Sequence, residues 1–105
     1  MTSIPALRSR ADVRTDVPAR YAKQLVSHLG RNEPFATDGA VSTVRWGTAT
    51  ASVVVGDGVL TLLAEADDDA GLALVEDVLG RHLERFGARD ELVIAWERGT
   101  SAGPR

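Results

Sequence analysis

VSTVRWGTATASVVVGDGVLTLLAE, residues 41–65, holds three β-rich runs separated by two turn signals. Val41–Trp46, Ala49–Val55 and Val59–Glu65 are dense in Val, Thr and Leu, residues that suit a pleated surface. Between them, Gly47-Thr48 fits a two-residue hairpin turn with glycine first, and Gly56-Asp57-Gly58 carries the Asp-Gly signal for positive φ angles. Parallel neighbours need a crossover of a dozen or more residues, so connections this short impose antiparallel pairing. The segment reads as an antiparallel meander.

Outward from the meander the period changes. On its N-terminal side, Arg10 to Thr15 alternates, with Ala11, Val13 and Thr15 opposite Asp12 and Arg14, as in a half-buried strand. Asp16-Val17-Pro18 then offers a capping side chain followed by a first-turn proline, and Gly30 offers a stop, so a helix is expected from Pro18 to Leu29. Its apolar face is Tyr21, Ala22, Leu25, Val26 and Leu29. On the C-terminal side, Asp67, Asp68 and Asp69 open a second helix that carries Arg81, His82 and Arg85 near its end and stops at Gly87. Acids at the start and bases at the end both match the helix dipole. Leu72, Val75, Leu79, Leu83 and Phe86 form its core stripe, and Leu92, Ile94 and Trp96 alternate as a last strand.

The order β, α, β meander, α, β specifies an α+β fold: a mainly antiparallel β-sheet with two helices packed on one face. One domain over residues 10–98 accommodates it, with flexible ends at 1–9 and 99–105, where prolines and small polar residues replace periodicity. Val53 and Val55 oppose Val54, and Leu60 and Leu62 oppose Val59 and Leu63, so both sheet faces carry apolar residues. A homodimer through the open face, a ligand groove on it, or a sheet curled into a half-barrel would each account for this.

The 105 residues include 15 acidic and 12 basic side chains and no cysteine. That excludes a multidomain enzyme, a disulfide framework, a thiolate metal site and a cysteine nucleophile. No apolar run is long enough to span a bilayer and the N-terminus lacks a signal-peptide core, so a cytoplasmic protein without membrane association is expected. Residues 1–31 hold six basic and two acidic side chains, a net of +4, while residues 32–105 hold six basic and thirteen acidic, a net of −7. The basic charges are scattered and the remainder repels phosphate, so nucleic acid is not expected as a partner.

No phosphate-binding glycine loop, HExxH helix or nucleophile elbow is present, Ser and Thr stand in no nucleophile motif, and no cofactor is expected. The reading leans away from an enzyme. His28, near the end of the first helix, has Gln24 one turn before it, Tyr21 two turns before it and Arg31 just beyond. This donor and acceptor edge is the candidate ligand-binding set: Tyr21, Gln24, His28 and Arg31. His82, on the apolar side of the second helix, reads as a core histidine with a satisfied ring N–H, and His28 with His82 is a weaker candidate metal pair that lacks further ligands at a fixed spacing. Asp67-Asp68-Asp69 serves as a cap, and Trp46 and Trp96 as core.

Taken together, Thr15-Asp16-x-Pro18-x-Arg20-Tyr21-x-Lys23-Gln24-Leu25, Ser27-His28, the hairpin strands and Val75-Glu76-Asp77-Val78-x-x-x-His82-Leu83-Glu84-Arg85-Phe86 resemble the uncharacterised bacterial family called domain of unknown function 2218. The resemblance spans Arg10 to Glu97. It implies a small domain connected with iron-siderophore handling, since some such domains are encoded beside siderophore-uptake genes and some are fused to siderophore-interacting flavin reductases. A ferric siderophore, or a flavin-dependent siderophore reductase, is the partner the resemblance implies. Where the family often places a second histidine after His28, this chain has Arg31. An aldolase label attached to some relatives does not fit, because an aldolase barrel needs far more chain.

Overall fold

The computed structural model describes residues 7–31 and 33–100. The remaining parts of the two expected flexible ends, residues 1–6 and 101–105, lie outside the described residues. The elements run β1 (Leu7–Arg14), α1 (Pro18–Leu29), β2 (Ala36–Asp38), β3 (Val41–Trp46), β4 (Ala49–Gly56), β5 (Val59–Ala66), α2 (Asp69–Phe86), a 3₁₀ turn (Ala88–Asp90) and β6 (Glu97–Thr100). The fold is α+β: one six-stranded antiparallel sheet in the order β2-β3-β4-β5-β1-β6, with the two helices on one face.

The meander forms as its turns dictate. Trp46 pairs with Ala49 across Gly47-Thr48, and Gly56 pairs with Val59 across Asp57-Gly58. Gly47 and Gly58 adopt φ of +64° and +70°, a region where a Cβ would be strained. A third hairpin, Ala36–Asp38 against Val41–Thr43, was not foreseen, because a strand this short shows no readable alternation.

Period two sorts the side chains. Ala11 and Val13 of β1, Ala49, Ala51 and Val53 of β4, and Leu60, Leu62, Ala64 and Ala66 of β5 face the helices and are buried. Alanines at the centre of this face let α1 and α2 approach closely, and Leu25, Leu72, Val75, Leu79 and Leu83 fill the space between the layers. The opposite face interleaves Val41, Val54, Val59 and Leu63 with Thr43, Thr50, Ser52 and Thr61, and with Arg8, Arg10, Asp12, Arg45 and Glu65. Among the described residues the sheet is open, with β2 and β6 as its edges.

Three expectations need correction. The first strand begins at Leu7, not Arg10, because Leu7 and Ser9 extend its alternation and Ser9 is buried against α2 through a bond to Glu76. At the start of α1, Asp16 does not cap. Val17 occupies the cap position with no side-chain bond, and Thr15 Oγ1 accepts from the Val17 N–H at 3.1 Å. The third concerns Leu92–Trp96, which alternates in burial but belongs to no ladder; β6 starts at Glu97. Leu92, Ile94 and Trp96 pack on the core as an extended strap along α2 while Val93 is 75% exposed. Alternation records one-sided burial, and here α2 supplies the buried side. The strap needs a glycine at 87, where a Cβ would overlap the Leu92 side chain; at Gly80 a Cβ would meet the Trp96 indole at ordinary contact distance.

Candidate functional site

Helix α1 runs twelve residues from Pro18, and α2 runs eighteen from an Asp68 cap whose carboxylate accepts from the Gly71 N–H at 2.8 Å. Both bury their leucine stripes on the sheet, which sets their C-terminal halves side by side. Residues at the margin of each stripe then face one another. His28 of α1 meets His82 of α2 with ring centroids 5.0 Å apart and planes tilted by 46°. Phe86, one turn beyond His82, stands edge-on to His28 at 5.7 Å and lies 6.3 Å from His82.

Geometry fixes the state of the His82 ring. Its Nδ1 lies 2.7 Å from the Val78 carbonyl oxygen, which can only accept, so Nδ1 carries a proton and donates. In the neutral ring, Nε2 therefore holds the lone pair. The expected core histidine with a satisfied N–H is found, half-buried, but its ring also touches the second imidazole of the chain.

Beside this aromatic cluster lies a groove of about 390 Å³ lined by Arg20, Lys23, Gln24, Ser27, His28, Arg31 and Phe86. Among the described residues, no carboxylate lines it. Two adjoining hollows add Arg81 and Arg85 beside His82, and Arg89 with Tyr21 and Asp90. Six of the twelve basic residues thus gather around the paired ends of the helices in a chain whose net charge is −3. Two acids lie among them: Asp77 pairs with Arg81 at 3.0 Å, and Asp90, in the wall of the second hollow, accepts from the Tyr21 hydroxyl.

Of the four residues expected on the ligand edge, Gln24, His28 and Arg31 share this groove. Tyr21 does not. It is buried at 5% exposure, and its hydroxyl is bonded to Asp90, which together with burial pushes the phenol above its usual range. It ties α1 to the 3₁₀ turn and walls the neighbouring hollow. Sequence reasoning missed Arg20, Lys23, Arg85 and Phe86. Arg20 and Lys23 fall outside the apolar face of the first helix, Arg85 was assigned to the helix dipole and Phe86 to the core stripe; only the approach of the two helices brings them near one another. The candidate metal pair is brought together, but among the described residues no group of three or more His, Cys, Asp or Glu forms. Among the described residues, no helix is long and apolar enough to cross a membrane.

Comparison with known proteins gives the chain a family. The model of a family described as "Uncharacterized protein conserved in bacteria (DUF2218)" matches residues 10–97, and the chain belongs to that family. Among solved structures, it is similar to PA4090 from Pseudomonas aeruginosa, determined by NMR, with a TM-score of 0.75 and 25% sequence identity over 87% of this chain and 95% of that one. No curated protein matches.

Proposed function

We propose that this DUF2218 member is a non-enzymatic domain that holds an anionic, aromatic-rich ligand in the groove between α1 and α2, and that it serves iron-siderophore handling in the cytoplasm. One observation carries the reading: a groove lined by three cations, an imidazole and a phenyl edge, without a carboxylate. Cations desolvated this little attract an anion without binding it rigidly, while the rings add stacking surface. A ferric complex built from catecholate oxygens offers both properties, since its ligand charge exceeds that of the iron and its rim is aromatic. Gln24, His28 and Arg31 are the proposed contacts, joined by Arg20, Lys23 and Phe86, with Tyr21 holding α1 in place. A flavin-dependent reductase presenting such a complex would meet the same surface.

The test is a titration of the protein with a ferric catecholate siderophore mimic, followed by backbone and imidazole NMR. Shifts should cluster at Gln24, His28 and Arg31, and His28→Ala and Arg31→Ala should each weaken binding by about tenfold, one charge-assisted contact, while the proteins stay folded. Binding equal to the parent's in both variants overturns the assignment.

The open sheet face supports a second reading, a homodimerisation module. Leu63 lies in a hollow with Arg8, Arg10, Glu65 and Glu97, so both signs of charge flank an apolar centre and a two-fold related copy would complement it. Light scattering at high micromolar concentration should then report twice the monomer mass; a monomer there removes this reading.

A further inference from the structure

We infer that the cationic row Arg81, Arg85 and Arg89 is a docking surface for an extended acidic segment of a partner protein. The row lies on the α2 side of the paired helix ends, and the inference goes beyond the groove reading without resting on it.

The row is continuous. Arg81 and Arg85 line one hollow of about 260 Å³ together with His82, and Arg85 and Arg89 line the next, of about 380 Å³, together with Phe86. Arg85 belongs to both, and all three arginines are exposed. Among the described residues Arg85 and Arg89 make no ion pair, and Arg81 has only Asp77, in a contact whose side chains are 75% and 53% exposed. A pair that open to water is weak enough for an incoming carboxylate to exchange with it.

Folding alone does not account for the row. The α2 dipole favours a base in the last turn, and Arg85 stands there. Arg89 stands past the helix end, in the 3₁₀ turn, and Arg20 of α1 joins it in the second hollow. The carboxylate in that hollow, Asp90, is engaged by the Tyr21 hydroxyl. Like charges sharing a hollow oppose one another until an anion enters.

Spacing selects the shape of the anion. Four residues of α-helix advance about 6 Å, which separates Arg81 from Arg85 along α2, and Arg89 follows at the same interval in sequence. Two residues of an extended chain advance about 6.7 Å and return the side chain to the same face. Acidic residues at alternate positions of an extended segment therefore meet successive arginines, whereas a single compact anion meets one hollow only. Phe86 adds a phenyl surface for the methylenes of glutamate. A nucleic-acid duplex fits less well. With the six cations of the helix ends set aside from the net of −3, the rest of the chain carries −9. A polymer with one charge per about 1.7 Å that runs on past the row meets that repulsion.

The test is a fluorescence anisotropy titration of the intact protein with a labelled short peptide in which three glutamates alternate with serines. Binding should weaken by about tenfold between 0.05 and 0.3 M salt. Arg85→Gln, at the junction of the two hollows, should lower affinity about fivefold, and Arg81→Gln and Arg89→Gln about threefold each. Arg45→Gln, on the open sheet face, should keep the parent's affinity, and a peptide with the three glutamates contiguous should bind at least about threefold more weakly. Absence of binding at low salt, unchanged affinity in folded Arg85→Gln, equal binding of the contiguous peptide, or tighter binding of an oligonucleotide of equal charge overturns the inference. The ferric catecholate titration is read at His28 and Arg31, so either result can fail while the other stands.

Discussion

The two ends of α2 use the same residue types in opposite ways. Near its N-terminal half, Glu76 receives Arg98 of β6 through two bonds, at 2.7 and 3.0 Å, and the Ser9 hydroxyl of β1 at 2.6 Å. Asp69 adds a longer contact to the same guanidinium at 3.7 Å. Every charge in that cluster has a partner, and the cluster sews three elements together. At the C-terminal half, Arg85 and Arg89 share a hollow with Arg20, where Asp90 is bonded to the Tyr21 hydroxyl, and Arg20, Lys23 and Arg31 line the adjoining groove, in whose lining no carboxylate stands among the described residues. Among the described residues, Arg81 pairs with Asp77 while Arg85 and Arg89 make no ion pair. A domain that gathers such a cluster while pairing Arg8, Arg10 and Arg98 with carboxylates has a surface organised around something outside itself.

The largest effect comes from removing what the two ends share. Leu79 is fully buried and lies between Glu76 and His82 on α2. Leu79→Ala should cost about 3 kcal/mol through lost transfer energy and a cavity, lowering the thermal midpoint by about 12–24 °C in circular dichroism. A loss below 1 kcal/mol would mean that the helix is not seated as a rigid unit, and the contrast between its ends would lose its basis.

Breaking only the paired end should cost less. Glu76→Gln removes the charge that holds Arg98, and with solvent screening the expected loss is about 1 kcal/mol in urea denaturation. The pH dependence sharpens the point. Bonding to Arg98, reinforced by Ser9, holds the Glu76 carboxyl below its ordinary 4.5 despite partial burial. The folded state then binds fewer protons than the unfolded chain, so this stabilisation is complete above the unfolded value and is lost as pH falls through the lower folded value. Bonding to Thr61, and then to Arg10, lowers Asp12 in the same direction. Between pH 5 and pH 3 the parent should therefore lose stability faster than Glu76→Gln; equal slopes would show that Glu76 is not held ionised by its partners.

How much of this was legible depended on range. The meander was legible because Gly47-Thr48 and Asp57-Gly58 specify their turns locally, and α1 because Pro18 and Gly30 bracket one apolar face. The strap was misread because alternation at Leu92, Ile94 and Trp96 encodes which side is buried and not what buries it. Along the ligand edge, helical spacing grouped Gln24, His28 and Arg31, but it also grouped Tyr21, whose partner Asp90 lies 69 residues away. The meeting of His28 with His82 was beyond reach for the same reason: each ring's neighbour is set by how both helices settle on the alanine-lined sheet, not by any residue nearby in the chain.

The smallest effect should come from the unpaired end, and its sign carries the information. Arg85→Gln removes a cation from a cluster that includes Arg81 and Arg89, beside the His82 ring and in a hollow whose carboxylate, Asp90, is bonded to the Tyr21 hydroxyl. If these charges merely repel, the variant should match the parent or exceed its stability by a few tenths of a kcal/mol at low salt, as for like charges on a helical surface. The gain should vanish by about 0.3 M salt, where screening acts over less than about 6 Å. Urea midpoints measured for both proteins across that salt range decide it. A loss of 1 kcal/mol or more at every salt concentration would show that Arg85 is held by a partner in the fold, and the two ends of α2 would then differ in degree and not in kind.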